Sequence, residues 1–101
     1  MISTPENIHS IDALRTFIHT TLCEKENLLA DQFGMSEIML IKRGRECGMQ
    51  FLLQGPRSVR LGAIWAAEQN IVYFYDAQGE RYKKVRLSRH IQMNEIDSRV
   101  A

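Results

Sequence analysis

The spacing of apolar residues along this chain changes period once, near residue 34, and that change divides the sequence into two kinds of structure. Before it, Ile11, Leu14, Ile18, Leu22, Leu29 and Phe33 recur at helical spacing. At about 100° per residue they fall on one stripe, which Phe17 and Leu28 widen on one side. Ser10 suits an N-cap, Asp12 in the first turn complements the helix dipole, and Gly34 suits a terminator. The stripe returns in phase at Leu29 after the polar stretch 23–27. The pattern therefore predicts one long helix from Ser10 to Gly34, with room for a kink near Glu24–Asn27.

From Ser36 the period is two. Five strands are predicted: Glu37–Arg43, Met49–Leu53, Val59–Ala66, Ile71–Tyr75 and Glu80–Leu87. Turn chemistry fills each gap: Gly44 to Gly48, Gly55-Pro56, Glu68-Gln69-Asn70, and Asp76-Ala77-Gln78-Gly79. These gaps are too short for a crossover helix, so neighbouring strands should pair antiparallel. The last gap reads as a type I turn with Gly79 left-handed, a bulged hairpin. That register would set Asp76 opposite Glu80, Tyr75 opposite Arg81, Phe74 opposite Tyr82, and Tyr73 opposite Lys83. The expected fold class is α+β, a long N-terminal helix packed on a curled five-stranded antiparallel β-meander. Residues 1–9 read as a flexible lead-in, 10–90 as a single domain and 91–101 as a tail.

The central strands carry a surplus of apolar residues. Val59, Leu61, Ala63 and Trp65 point one way along the third strand, and Ile64 and Ala66 the other. In the fourth, Val72 and Phe74 oppose Ile71, Tyr73 and Tyr75. A single helix covers one face of an open sheet. The second face must curl into a barrel, meet a second subunit, hold a ligand, or lie under the tail. A curled sheet with a homodimer contact is the expectation.

Composition narrows the function classes. The chain has 101 residues, 45% of them apolar and 25% charged, which fits one packed domain. Net charge is +1, unevenly spread. Residues 1–33 hold two basic and five acidic side chains, and residues 34–90 hold ten and five. The helix is acidic and the sheet basic. Two cysteines, Cys23 and Cys47, make no disulfide framework and read as reduced thiols of a cytoplasmic protein. The N-terminus has neither the basic nor the apolar region of a secretory signal, and no apolar run spans a membrane.

The runs 26–29, 31–33, 55–59, 63–65, 72–76 and 79–81 (Glu-Asn-Leu-Leu, Asp-Gln-Phe, Gly-Pro-Arg-Ser-Val, Ala-Ile-Trp, Val-Tyr-Phe-Tyr-Asp, Gly-Glu-Arg) resemble a family of small uncharacterised planctomycete proteins, over roughly residues 25–88. The resemblance implies a bacterial cytoplasmic protein and no particular activity. In topology alone, a helix before five meandering strands is similar to the Sm/Lsm RNA-binding fold. The helix is too long for that fold and the Asp-x-x-x-Asn signature is missing, so no Sm residue carries over.

Four groups of residues bear on function. Tyr73 and Tyr75 facing Lys83 and Arg81, with Arg57, Arg60, Lys84, Arg86 and Arg89 in the same half of the chain, would suit single-stranded nucleic acid. The same residues also make ordinary cross-strand aromatic–cation pairs that solubilise a sheet. His19 and Cys23 share a helix side at zinc-ligand spacing, without the paired modules of a structural zinc site, so no metal and no cofactor is implied. Cys47, beside Arg45 between Gly44 and Gly48, is a thiol in a hairpin loop and the only centre an enzyme reading could use. His9, His19 and His90 converge with nothing, and no catalytic motif occurs. Trp65 reads as a core anchor or an interface residue. The sequence thus favours a non-enzymatic binding module, self-associating as a homodimer or docking a protein partner, with nucleic-acid binding next.

Overall fold

A computed structural model describes residues 8, 10–29, 32–88 and 91. Helix α1 spans Ile11–Lys25, and strands β1 to β5 span Met35–Lys42, Arg45–Gln54, Arg60–Ala66, Ile71–Tyr75 and Arg81–Arg86. The strands pair antiparallel in the order β1-β2-β3-β4-β5, so the α+β meander is as expected. β1 and β5 are its two edges. His9, His90, Asp31, Arg89 and most of the expected lead-in and tail lie outside the described residues. Ile8 and Ile91, assigned to that lead-in and tail, are both buried in the core.

The start of α1 follows from its sequence. Ser10 is extended, and its Oγ accepts the Ala13 N–H at 3.1 Å. The end does not. α1 has 15 residues rather than running on to Gly34. Asn27 takes a left-handed φ of 57°. The Leu28 N–H then reaches the Cys23 carbonyl at 2.8 Å, and the Asn27 N–H the Glu24 carbonyl at 3.4 Å. This is a Schellman cap with asparagine where glycine is commoner. It turns Leu28 back against the core. Leu29, expected on the buried stripe, is 61% exposed. Its helical phase was a coincidence of spacing that the cap overrides.

α1 packs on one face of the sheet. Leu14, Ile18 and Leu22 meet Phe51, Leu53, Leu61, Trp65, Val72 and Phe74, all at most 1% exposed. Phe17 meets Phe74 edge-on, with ring centroids 5.9 Å apart. Arg15 grips Glu37 of β1 bidentately, Nε and Nη2 each donating at 2.7 Å, while its Nη1 donates to Asp12 at 2.8 Å. The fork fixes α1 across the β1 edge.

Two turns and two strand irregularities set the register. Arg43 and Gly44 both have positive φ (55° and 77°), the signature of a type I′ hairpin. β2 therefore starts at Arg45, and the expected loop 44–48 is mostly strand. Cys47 lies where the β1–β2 register shifts, between Leu40 and Ile41. Gly48 is required by contact, because a Cβ there would run into the Trp65 carbonyl oxygen. The 76–79 turn forms as expected. Gly79 is left-handed at 83°, and Asp76 Oδ1 accepts the Gln78 and Glu80 N–H groups at 3.0 and 2.9 Å. Tyr75 faces Arg81, but a second irregularity follows. Phe74 then pairs with Lys83 and Tyr73 with Lys84, one residue later than the simple hairpin predicts. The extra residue is Tyr82, whose ring packs 6.2 Å from Phe74 with Lys25 Nζ 4.8 Å over it.

Asn70 closes the β3–β4 connection and ties it to the exit of β5. Its φ is 55°, and its residue is only 7% exposed. Asn70 Oδ1 accepts the Trp65 indole N–H at 3.0 Å, its amide reaches the Leu87 carbonyl at 3.5 Å, and its carbonyl accepts the Leu87 N–H at 2.9 Å. Asn70→Ala leaves the indole N–H buried without that acceptor and puts in the left-handed region a residue that tolerates it less well than asparagine. It should cost about 2–4 kcal/mol in urea unfolding, with unchanged slope. Asn70→Gly should recover about 1 kcal/mol of that loss by relieving the backbone. A loss below about 1 kcal/mol for the alanine variant would show that the tie carries little.

Tyr82 presents the opposite situation. Its hydroxyl oxygen is buried and has no hydrogen-bond partner among the described residues. Burial, with Asp76, Glu26 and Glu24 adding repulsion, raises its pKa from 10.0 to about 12. The fold thus favours the neutral phenol. The unfolded chain ionises first, so this stabilisation is full below pH 10.0 and is lost as pH rises through about 12. Tyr82→Phe should be neutral or stabilising by up to about 1 kcal/mol at neutral pH. Its urea midpoint should also fall less than that of the parent across the alkaline window. An equal fall in both proteins would refute the assignment.

Candidate interaction surface

Strand pairing lays the side chains of the helix-free face out as a grid. One row runs Ser36, Leu52, Gly62, Tyr75 and Arg81 from β1 to β5. The next runs Ile38, Gln50, Ile64, Tyr73 and Lys84, and the third Leu40, Gly48, Ala66, Ile71 and Arg86. The face has two halves. Over β1–β3 it is apolar, with Ile38 53% and Leu52 38% exposed. Over β4 and β5 each aromatic or aliphatic residue of β4 sits beside a cation of β5.

The expected site residues divide accordingly. Arg60, Tyr73, Tyr75, Arg81 and Arg86 share the helix-free face. Lys83 does not, because it pairs with the core residue Phe74 on the helix side. Lys84 takes its place beside Tyr73. The one-residue shift that moves them comes from Tyr82, and alternation alone could not find it. Arg57 is exposed in the Pro56–Ser58 turn, at the sheet end where Arg60 and Arg81 also lie. Arg57 and Ser58 both have positive φ, 56° and 65°, an unusual pair for residues with side chains.

A shallow groove of about 340 Å³ crosses this end of the face. Its floor is Gly62, between Leu52 and Tyr75 in the grid, with Arg60, Ile64 and the 76–79 turn around it. A second groove of about 410 Å³ continues from Leu52 and Arg60 towards Met35 and Ser36. Leu52, Ile38 and Gly62 were absent from the sequence-based site. A glycine within a strand pattern was the available signal, since it marks a close approach or an open spot. Around the groove the guanidinium of Arg81 lies over the Tyr73 ring, 5.0 Å from its centre, and the Tyr73 hydroxyl donates to Gln69 Oε1 at 3.0 Å. Arg81 thus lies along the face, over one side of the Tyr73 ring.

The other candidates have local structural roles. His19 Nε2 lies 2.7 Å from the Phe33 carbonyl oxygen, so it donates there and joins α1 to the entry of β1. Cys23 is buried, and desolvation raises its pKa. Among the described residues no group of three His, Cys, Asp or Glu side chains is placed to hold a metal ion. Cys47 is half-buried, with Sγ 3.5 Å from the Leu40 carbonyl. No helix among the described residues is long and apolar enough to cross a membrane.

The chain matches no protein-family model, and comparisons with curated proteins and with solved structures find none similar to it. The reading of the surface therefore rests on its own geometry. The thiols give a direct check of the strand assignment. Cys47, half-buried at a strand irregularity, should react with iodoacetamide about tenfold or more faster than Cys23, whose thiolate is disfavoured by burial. Peptide mass spectrometry after timed quenching reads both rates, and comparable rates would place Cys23 outside the core.

Proposed function

We propose that the protein is a non-enzymatic interaction module that self-associates through the apolar half of its helix-free face and the β1 edge. The observation that carries this reading is the contrast between the two edges. β5 holds Arg81, Lys83, Lys84 and Arg86 in six residues, and like charges resist the approach of another strand. β1 has only Lys42 at its end and Glu37, already held by Arg15, on the helix side. Between them run Ile38, Met39, Leu40 and Ile41, with Ile38 and Ile41 more than half exposed. Among the described residues this edge is unpaired, apolar and weakly charged, and with Leu52 beside it such an edge is a template for strand addition. A second copy suits it by shape, because antiparallel pairing of two β1 strands about a perpendicular two-fold axis keeps Ile38 and Leu40 of both copies on one continuous face beside Leu52.

Sedimentation velocity from low-micromolar to submillimolar concentration should show a dimer forming with mass action. Ile38→Lys puts a charge in the middle of the exposed strand face and should leave a monomer with unchanged far-ultraviolet circular dichroism. A parent protein that stays monomeric throughout would end the proposal.

A further inference from the structure

The basic half of the same face is arranged for a different partner, and we infer that it binds single-stranded nucleic acid, with a base in the Gly62 groove against Tyr75 and phosphates along Arg81, Lys84 and Arg86. The inference does not rest on self-association: its cations and rings are on β4 and β5, and it meets the apolar half of the face only at the groove between Leu52 and Tyr75.

Three features support it together. The first is the alternation along two neighbouring strands. Tyr75, Tyr73 and Ile71 of β4 stand beside Arg81, Lys84 and Arg86 of β5, so a row of flat or apolar groups runs alongside a row of cations. A single strand has the complementary layout, with bases on one side and phosphates on the other. Tyr73 and Tyr75 lie about 7 Å apart along β4, a step that one nucleotide of an extended strand covers.

The second is pre-organisation. Arg81 already lies over the Tyr73 ring, so its planar guanidinium is presented for stacking or for a bidentate phosphate contact without first losing much freedom. The third is the groove itself. With no side chain at Gly62, the space between Leu52 and Tyr75 stays open, and Arg60 is among the residues that line it. Asp76, the acidic residue that lines the groove, turns Oδ1 to two backbone N–H groups of its own turn. A duplex keeps its bases stacked inside and cannot fill such a groove, so the unpaired strand is the fitting ligand.

The test is fluorescence anisotropy with labelled oligothymidine, the corresponding duplex, and heparin as a polyanion without bases. The Ile38→Lys protein is used alongside the parent so that oligomer formation does not enter. Oligothymidine should bind in preference to the duplex, with affinity falling steeply as salt rises. Tyr75→Ala should weaken oligothymidine about tenfold and leave heparin unchanged, while Tyr75→Phe, which keeps the ring, should bind as the parent does. Gly62→Leu should close the groove and weaken oligothymidine alone. Lys84→Ala should lower the salt slope by about 1, and Lys83→Ala, on the helix side, should not. Melting curves on each variant identify any that fail to fold. Absence of binding at low salt, or equal binding of heparin and oligothymidine with no effect of Tyr75→Ala, overturns the inference; the second result would mark a cation patch for acidic proteins instead.

Discussion

One amphipathic helix lies against five strands, and the consequences of that inequality run through the molecule. A helix of 15 residues is about 22 Å long, and a five-stranded sheet is about 19 Å across. The helix is therefore long enough to cover one face, and Leu14, Ile18 and Leu22 are fully buried against it. It has no second surface for the other face. Each strand alternates its side chains, so the residues that β1–β4 turn away from α1 stand on a face that no helix among the described residues covers. Ile38, Leu52, Ile64, Tyr73 and Tyr75 are where they are because the residues between them are in the core.

Two side-chain fastenings hold this two-layer arrangement in place, and each joins parts that the backbone ladder does not. Arg15 with Glu37 and Asp12 locks the helix to an edge strand. Asn70 joins the Trp65 indole to the end of β5, and it does so from a left-handed position at the head of β4. A buried indole needs a partner for its N–H, and asparagine both tolerates the left-handed backbone and supplies the acceptor. The charges follow the layers. Asp12, Glu24 and Glu26 ride on or just past the helix, while cations collect on β5 and at the turns. An overall charge near neutrality thus conceals one half-face that is basic.

Much of the fold was legible because the signals were local. The Ser10 cap, the five strands, the alternation along β3 and β4 and the left-handed Gly79 depend on neighbours a few residues away. So does the placing of Tyr73, Tyr75 and Arg81 on one side, whereas Arg86 joins them only through the irregularity at Tyr82. The errors share another cause. The helix was drawn too long because Leu29 and Phe33 kept its phase while Asn27 had already ended it; periodicity reports where a helix can continue, not whether a cap intervenes. β2 was started too late because a type I′ turn with arginine in its first position is uncommon. Lys83 was placed opposite Tyr73 because an extra residue in an edge strand leaves no trace in the alternation of charged and aromatic residues.

The sequence by itself determined which residues are apolar and at what period, and hence one helix, five antiparallel strands and a sheet with too much apolar surface for a single cover. Only the tertiary structure decided which lysine stands with the tyrosines, that β1 is the open edge and β5 the charged one, and that Gly62 leaves a groove between Leu52 and Tyr75. Those depend on register across strands. Register is fixed by how Tyr82 fits beside Phe74 and how Gly48 passes the Trp65 carbonyl, contacts between residues that no local pattern relates.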